Sequence, residues 1–150
     1  VFSAQAGVDE TILAAVLNST WCKLSMEMAG RVNFGDGVLW LALGDVRDQV
    51  LVPDLRRSEP GQRERLARAF EGLPDSAVPG LVGGADSAEE QLRWDSAQQV
   101  LDAEVGALLG LSMAEQAQLR AALVERCSTR MRMAGKGRGD DTGPTRERSK

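Results

Sequence analysis

The 150-residue chain has no histidine, no tyrosine, only two cysteines, and five prolines of which no two are adjacent. Without histidine, its own residues cannot form a Ser-His-Asp triad, a Cys-His dyad or a His-containing zinc site. Cys22 and Cys127 are too far apart in sequence to make a CxxC redox pair or a metal knuckle. Long apolar runs are missing too. None approaches the roughly 18–20 residues that a spanning helix needs, and no signal-peptide pattern is visible. These absences predict a cytoplasmic protein with reduced thiols, no membrane partner and no metal. The chain also starts at Val1 in mid-pattern, without an initiator methionine, as expected of the trailing part of a longer protein.

What is present is an uneven charge distribution. Residues 130–150 hold seven Lys/Arg against three acids, while the rest hold eleven basic and nineteen acidic side chains. The body is acidic and the tail basic. Non-specific phosphate binding needs clustered positive charge, so the acidic body does not suggest that class of protein. A module that adds a few specific contacts beside a basic partner domain remains open. With 43% apolar residues, one modest core is expected.

Along the chain, Asp9 is a candidate N-cap for a helix over residues 10–28, with Ile12, Leu13, Val16, Leu17, Leu24 and Met28 at helical spacing. Gly30 is placed to end it in a left-handed conformation. Residues 31–37 carry turn chemistry. Residues 38–43 form an apolar run of strand length, Gly44-Asp45 breaks it, and residues 49–52 form a second short strand before Pro53. A helix then starts at Ser58-Glu59-Pro60, with proline in the first turn, and runs to about Glu71 on an apolar side of Leu66, Ala69 and Phe70. Two capping boxes, Ser87-x-x-Glu90 and Ser112-x-x-Glu115, open two further helices joined at Gly110. The first carries Leu92, Val100, Leu101, Val105, Leu108 and Leu109, and the second Leu119, Leu123 and Val124. The predicted class is α+β, mostly α: an N-terminal helix with a small two-stranded β element, then helices including an αα-hairpin, then a disordered C-terminal tail. The expected divisions are 1–73, a linker at 74–86, a helical hairpin at 87–133 and a basic tail at 134–150.

Several groups could carry function. Phe34-Gly35-Asp36-Gly37 superficially matches a cofactor loop of methyltransferases, but such a loop follows a strand and opens a helix, and here the order is reversed. Arg31 and Asn33 could contact DNA, since arginine forks to guanine or phosphate, asparagine pairs with adenine, and glycines let backbone approach. On residue types alone, an ordinary turn with a solvated Arg31 explains them better. Trp21, Trp40 and Trp94 could stack on bases, although packing is the simpler reading at their positions. Asp95, Asp102 and Glu104, with nearby Arg93, read as a solvated acidic face.

Taken together, LNSTWCKLSMEMAGRVNFGDGVLWLALGDVRDQVLVPDL resembles the C-terminal part of N6-adenine-specific DNA methyltransferases of restriction-modification type. There a Leu-Asn-Ser helix leads to a G-R-x-N-x-G-x-G turn, an apolar strand, an aspartate-containing step and a V-P-D-L-type strand end. QQVLDAEVGALLGLSMAEQAQLRAALVER is similar to the trailing helical pair of the same family, so the resemblance covers roughly residues 9–57 and 92–126. It implies a target-recognition and scaffolding part, with Arg31, Asn33, Gly35 and Gly37 on the family turn as DNA-contact residues. The implied partners are duplex DNA and a catalytic domain that uses S-adenosylmethionine. The family's N/D-P-P-Y/F catalytic signature is missing, so no catalytic residue and no cofactor are expected in this chain. The alternative is a helical protein–protein interaction module, with the hairpin at 87–133 as its partner surface and no role on DNA.

Overall fold

Asp9 accepts the Thr11 N–H at 2.8 Å and starts the first helix where the sequence places it. The computed structural model describes residues 9–32, 39–74 and 88–137. Their order is α1 (Glu10–Leu17), α2 (Thr20–Ala29), β1 (Arg31–Val32), β2 (Leu39–Trp40), α3 (Leu43–Gln49), a 3₁₀ turn (Leu55–Arg57), α4 (Pro60–Glu71), α5 (Ala88–Leu109) and α6 (Met113–Gly137). The described chain is therefore mostly helical, with one two-stranded antiparallel β element. Residues 75–86 of the linker, Ser87 of the first capping box, and residues 138–150 of the expected tail lie outside the described residues. Helix α6 runs on to Gly137, past the predicted end near Met133.

Three local expectations need correction. The single helix over residues 10–28 is two helices, broken at Asn18-Ser19. Asn18 closes α1 by donating its side-chain amide to Ala14 O at 2.9 Å. Ser19 adopts an extended backbone, donates its hydroxyl to Val16 O at 2.6 Å and accepts the Cys22 N–H at 3.3 Å. Short polar side chains that compete for backbone groups favour caps over helix interiors, and Asn18-Ser19-Thr20 is a run of them. The break turns α2, so that Leu24 is buried while Met28 is exposed.

The second predicted strand, residues 49–52, has no ladder partner among the described residues. Its backbone bonds instead to side chains of α2: Leu51 N–H donates to Ser25 Oγ at 2.9 Å, and Leu51 O accepts the Trp21 indole N–H at 3.0 Å. The strand that pairs with β2 is β1, on the other side of the glycine-rich stretch. The predicted break at Gly44-Asp45 is itself helical, inside α3. Asp45 sits in the first turn of that helix and accepts the Ala42 N–H at 3.3 Å, as an acid at that position can.

The αα-hairpin forms as expected. Gly110 takes φ +71°, where a Cβ is strained, and ends α5. Ser112 and Glu115 form a full capping box, with Ser112 N–H donating to Glu115 Oε2 at 2.8 Å and Glu115 N–H to Ser112 Oγ at 3.3 Å. The two stretches either side of residues 74–86 share one core: Ile12, Ala15, Val16, Leu55, Leu66 and Ala69 pack with Leu101 and Val105. A second cluster joins Leu24 of α2 to Leu123 and Cys127 of α6.

Across this packing runs a polar tie that overturns the solvated-face reading of Asp102. Its residue is only 7% exposed. Its carboxylate accepts Thr20 N–H at 2.8 Å, Thr20 Oγ1–H at 2.7 Å, the Gln98 amide at 3.0 Å and the Arg120 guanidinium at 3.0 Å. Thr20 opens α2, so Asp102 supplies both an acceptor for a first-turn N–H and negative charge at the positive end of a helix dipole. Gln98 also donates to Asn18 O and accepts from Lys23 Nζ. Glu104 remains at the surface, where it pairs with Arg65 at 2.9 Å. Asp102→Ala is expected to lower unfolding free energy by about 2–4 kcal/mol, because buried donors lose their acceptor. Glu104→Ala is expected to cost at most about 1 kcal/mol. Denaturant melts of the two variants check this, and equal losses would return Asp102 to an ordinary surface acid.

Candidate functional site

Helix α2 ends at Ala29, and the chain turns at once into the β element. Gly30 does not take the left-handed conformation expected of it; its φ of −76° and ψ of 152° are extended. Glycine is needed there for space, because an added Cβ would sit 2.5 Å from Leu39 Cγ and Cδ1. The absence of a side chain lets β2 close over the end of α2. The two strands pair antiparallel, with Arg31 opposite Trp40 and Val32 opposite Leu39.

Residues directly opposite in an antiparallel pair point to the same face. Arg31 and Trp40 therefore share one face of the hairpin. The Arg31 side chain is 70% exposed and Trp40 is 52% exposed. Trp40 is thus about half covered, as a strand-edge residue can be, and half open to solvent. Trp21 does pack: it is half-buried against the core, with its indole N–H satisfied by Leu51 O. The side chain of Trp94 lies outside the described residues, as do Arg93's and all of Asn33, Gly35 and Gly37. Of the four residues placed on the family turn, Arg31 alone is described. The Phe34-Gly35-Asp36-Gly37 stretch joins β1 to β2, which is not the strand-to-helix setting of a cofactor loop.

Arg31 is anchored by Asp45, which the sequence marks only as part of a break after an apolar run. Its guanidinium forms an ion pair with Asp45 at 3.4 Å, and the Asp45 side chain is only 9% exposed. The same carboxylate accepts the Ala42 N–H and the Gln49 amide, both at 3.3 Å. Asp45 thus joins the base of the hairpin to both ends of α3. The available signal was an acid in the first turn of a short helix, hidden by the glycine beside it. Among the described residues Arg31 has no other hydrogen-bond partner, so the rest of its fork of donors faces outward. An exposed guanidinium beside an exposed indole can grip a planar acceptor edge or stack on a base.

Along α2, against residues 49–51, lies an apolar cleft of about 260 Å³, lined by Trp21, Leu24, Ser25, Met28, Ala29 and Leu51 among others. Exposed Leu43 and Val52 are further apolar side chains of the same part of the chain. In the same part of the chain Arg47 pairs with Asp48, and Arg56 and Arg57 with Asp54. Among the described residues, no group of acids and cysteines is arranged to hold a metal.

The cysteines are free and buried. Burial pushes the Cys22 thiol from 9.0 up to about 11. Cys127 is raised as well, first by burial and then by the neighbouring Glu27 carboxylate. Both are held as thiols rather than thiolates, which is the opposite of nucleophile activation. No family model matches this chain, and no curated protein or solved structure matches it either.

The Cys22 shift has a signed consequence. The unfolded thiol ionises near its ordinary value and the folded one near 11, so the unfolded state binds fewer protons in between. The stability from this group is complete below about 9 and is lost as pH rises towards about 11. Thermal melts taken through that range are expected to fall, and Cys22→Ala is expected to flatten the fall. Parallel profiles for the two proteins would contradict the buried-thiol assignment.

Proposed function

We propose that this chain is the C-terminal target-recognition and scaffolding part of an N6-adenine DNA methyltransferase of restriction-modification type. On this reading it contributes DNA contacts while a separate catalytic domain, using S-adenosylmethionine, transfers the methyl group in the cytoplasm. The carrying observation is the exposed Arg31–Trp40 pair on one face of the hairpin, at the mouth of the stretch that holds Asn33, Gly35 and Gly37. An aromatic and a guanidinium side by side, both left out of the core, suit an aromatic and polar nucleic-acid edge better than they suit folding. The acidic body fits a reader that relies on a basic partner for general DNA affinity.

The apolar cleft along α2 favours a second reading, a helical protein-interaction module with no role on DNA. Within the first reading the same cleft is compatible with packing against the catalytic domain. The gene sequence upstream of Val1 separates the two: an in-frame Asn-Pro-Pro-Tyr domain supports the methyltransferase reading, and an unrelated domain sinks it.

The residue-level test uses the intact gene product. Arg31→Ala is expected to reduce adenine methylation or DNA binding roughly tenfold or more, as loss of a good arginine contact does. Its melt is expected to fall only modestly, by about 1 kcal/mol, because the covered Asp45 carboxylate keeps the Ala42 N–H and the Gln49 amide as donors. DNA binding equal to that of the unsubstituted protein would make Arg31 a solvated turn residue.

A further inference from the structure

Resting on the DNA reading above, we infer that Asp45 is a positioning residue that makes Arg31 a reader of guanine rather than a phosphate clamp. Two features of the pair carry this. Asp45 is fixed: its carboxylate is almost covered and is held by the Ala42 N–H and the Gln49 amide as well as by Arg31. Arg31 is anchored at one point only, a single guanidinium nitrogen 3.4 Å from Asp45 Oδ1, with the rest of the group exposed.

These features act on different parts of a DNA contact. A phosphate is recognised chiefly through charge, and each phosphate neutralised adds about 0.9 to the salt dependence of binding. A carboxylate beside Arg31 cancels that charge and so weakens its pull on the backbone. It does not remove the forked N–H donors, which match the O6 and N7 acceptors of guanine in the major groove. An arginine held from behind by a buried acid therefore gives up general affinity and keeps geometric selectivity. Trp40, opposite Arg31 on the same face, adds an exposed aromatic surface beside the reading position. The same logic accounts for a recognition element on an acidic body, since neither component contributes non-specific attraction.

The test is selection by the intact gene product from a pool of random-sequence duplex DNA, with binding to the selected and to scrambled duplexes followed over a salt series. Three variants are compared: Arg31→Ala, Asp45→Asn and the double variant. Arg31→Ala is expected to lose preference for guanine at one position by roughly tenfold or more, with little change in salt slope. Asp45→Asn is expected to raise binding to scrambled duplexes, steepen the salt slope by about one unit and flatten the same guanine preference. In the double variant, Asp45→Asn is expected to add nothing to the loss of selectivity caused by Arg31→Ala.

If Arg31→Ala lowers binding uniformly across sequences and reduces the salt slope by about one unit, Arg31 is a phosphate contact. The Asp45 inference then fails while the DNA reading stands. If Asp45→Asn lowers the melting temperature but leaves selectivity intact, Asp45 is structural only and the inference fails again. If no duplex is selected and Arg31→Ala changes nothing, both the inference and the reading on which it rests fail.

Discussion

One carboxylate, buried between three helices, holds this structure in register. Asp102 on α5 meets the first turn of α2 and, through Arg120, the start of α6. Its worth lies in the match of needs. A helix start has N–H groups without intrahelical acceptors, and a buried carboxylate has lone pairs that cannot go unfilled. Here each satisfies the other, with the Thr20 hydroxyl and the Gln98 amide completing the set. No buried side-chain nitrogen or oxygen among the described residues is left without a partner. An apolar core alone would leave α5 free to slide along α2, because apolar contact is non-directional; the two directed hydrogen bonds from Thr20 to Asp102, with Lys23 to Gln98 beside them, oppose sliding.

The other end of α2 is held in the same manner. Arg130 of α6 reaches Glu27 at 2.7 and 3.2 Å, with both side chains largely covered. Helix α2 is thus clamped near its start by α5 and near its end by α6, and the hairpin leaves it one residue later. This gives the exposed Arg31–Trp40 face a rigid base, although the β element itself is only two residues deep on each strand. An isolated hairpin of that size is marginal in water. Its position comes from Gly30, which lets Leu39 approach, and from Asp45, which ties Arg31 to α3.

What could be read in advance follows the range of the interactions involved. Caps are local chemistry, so Asp9, Pro60, Gly110 and the Ser112–Glu115 box were legible from neighbouring residues alone. The αα-hairpin followed from them. The break at Asn18-Ser19 was also local, but the apolar spacing of residues 10–28 outweighed the three polar residues that cause it. Residues 49–52 have a strand's pattern without being one, because a short apolar run looks the same whether its backbone bonds to a strand or to the side chains of a helix. Asp102 and Asp45 were not legible as buried groups. Each has local partners, but the contacts that tie them to other elements, Thr20 to Asp102 and Arg31 to Asp45, lie 82 and 14 residues away in sequence. Gly30 was identified as a helix stop for the wrong reason: tertiary crowding by Leu39, not backbone conformation, demands it. At the candidate site, Arg31 was named from the order of residues around it, whereas the exposure of Trp40 became visible only with the strand pairing.

The central claim is that the N-terminal helices and the helical hairpin form one cooperative unit locked at Asp102, on which the hairpin face stands. Native-state hydrogen exchange of the Thr20 amide tests it most directly, since that N–H is bonded to Asp102 and to no backbone carbonyl of its own helix. The expected result is that Thr20 exchanges only through the same global opening as the buried amides around Leu101 and Val105 in α5, with the same dependence on denaturant. Rapid exchange of Thr20 while α5 stays protected would show that the lock opens independently, and would contradict the account.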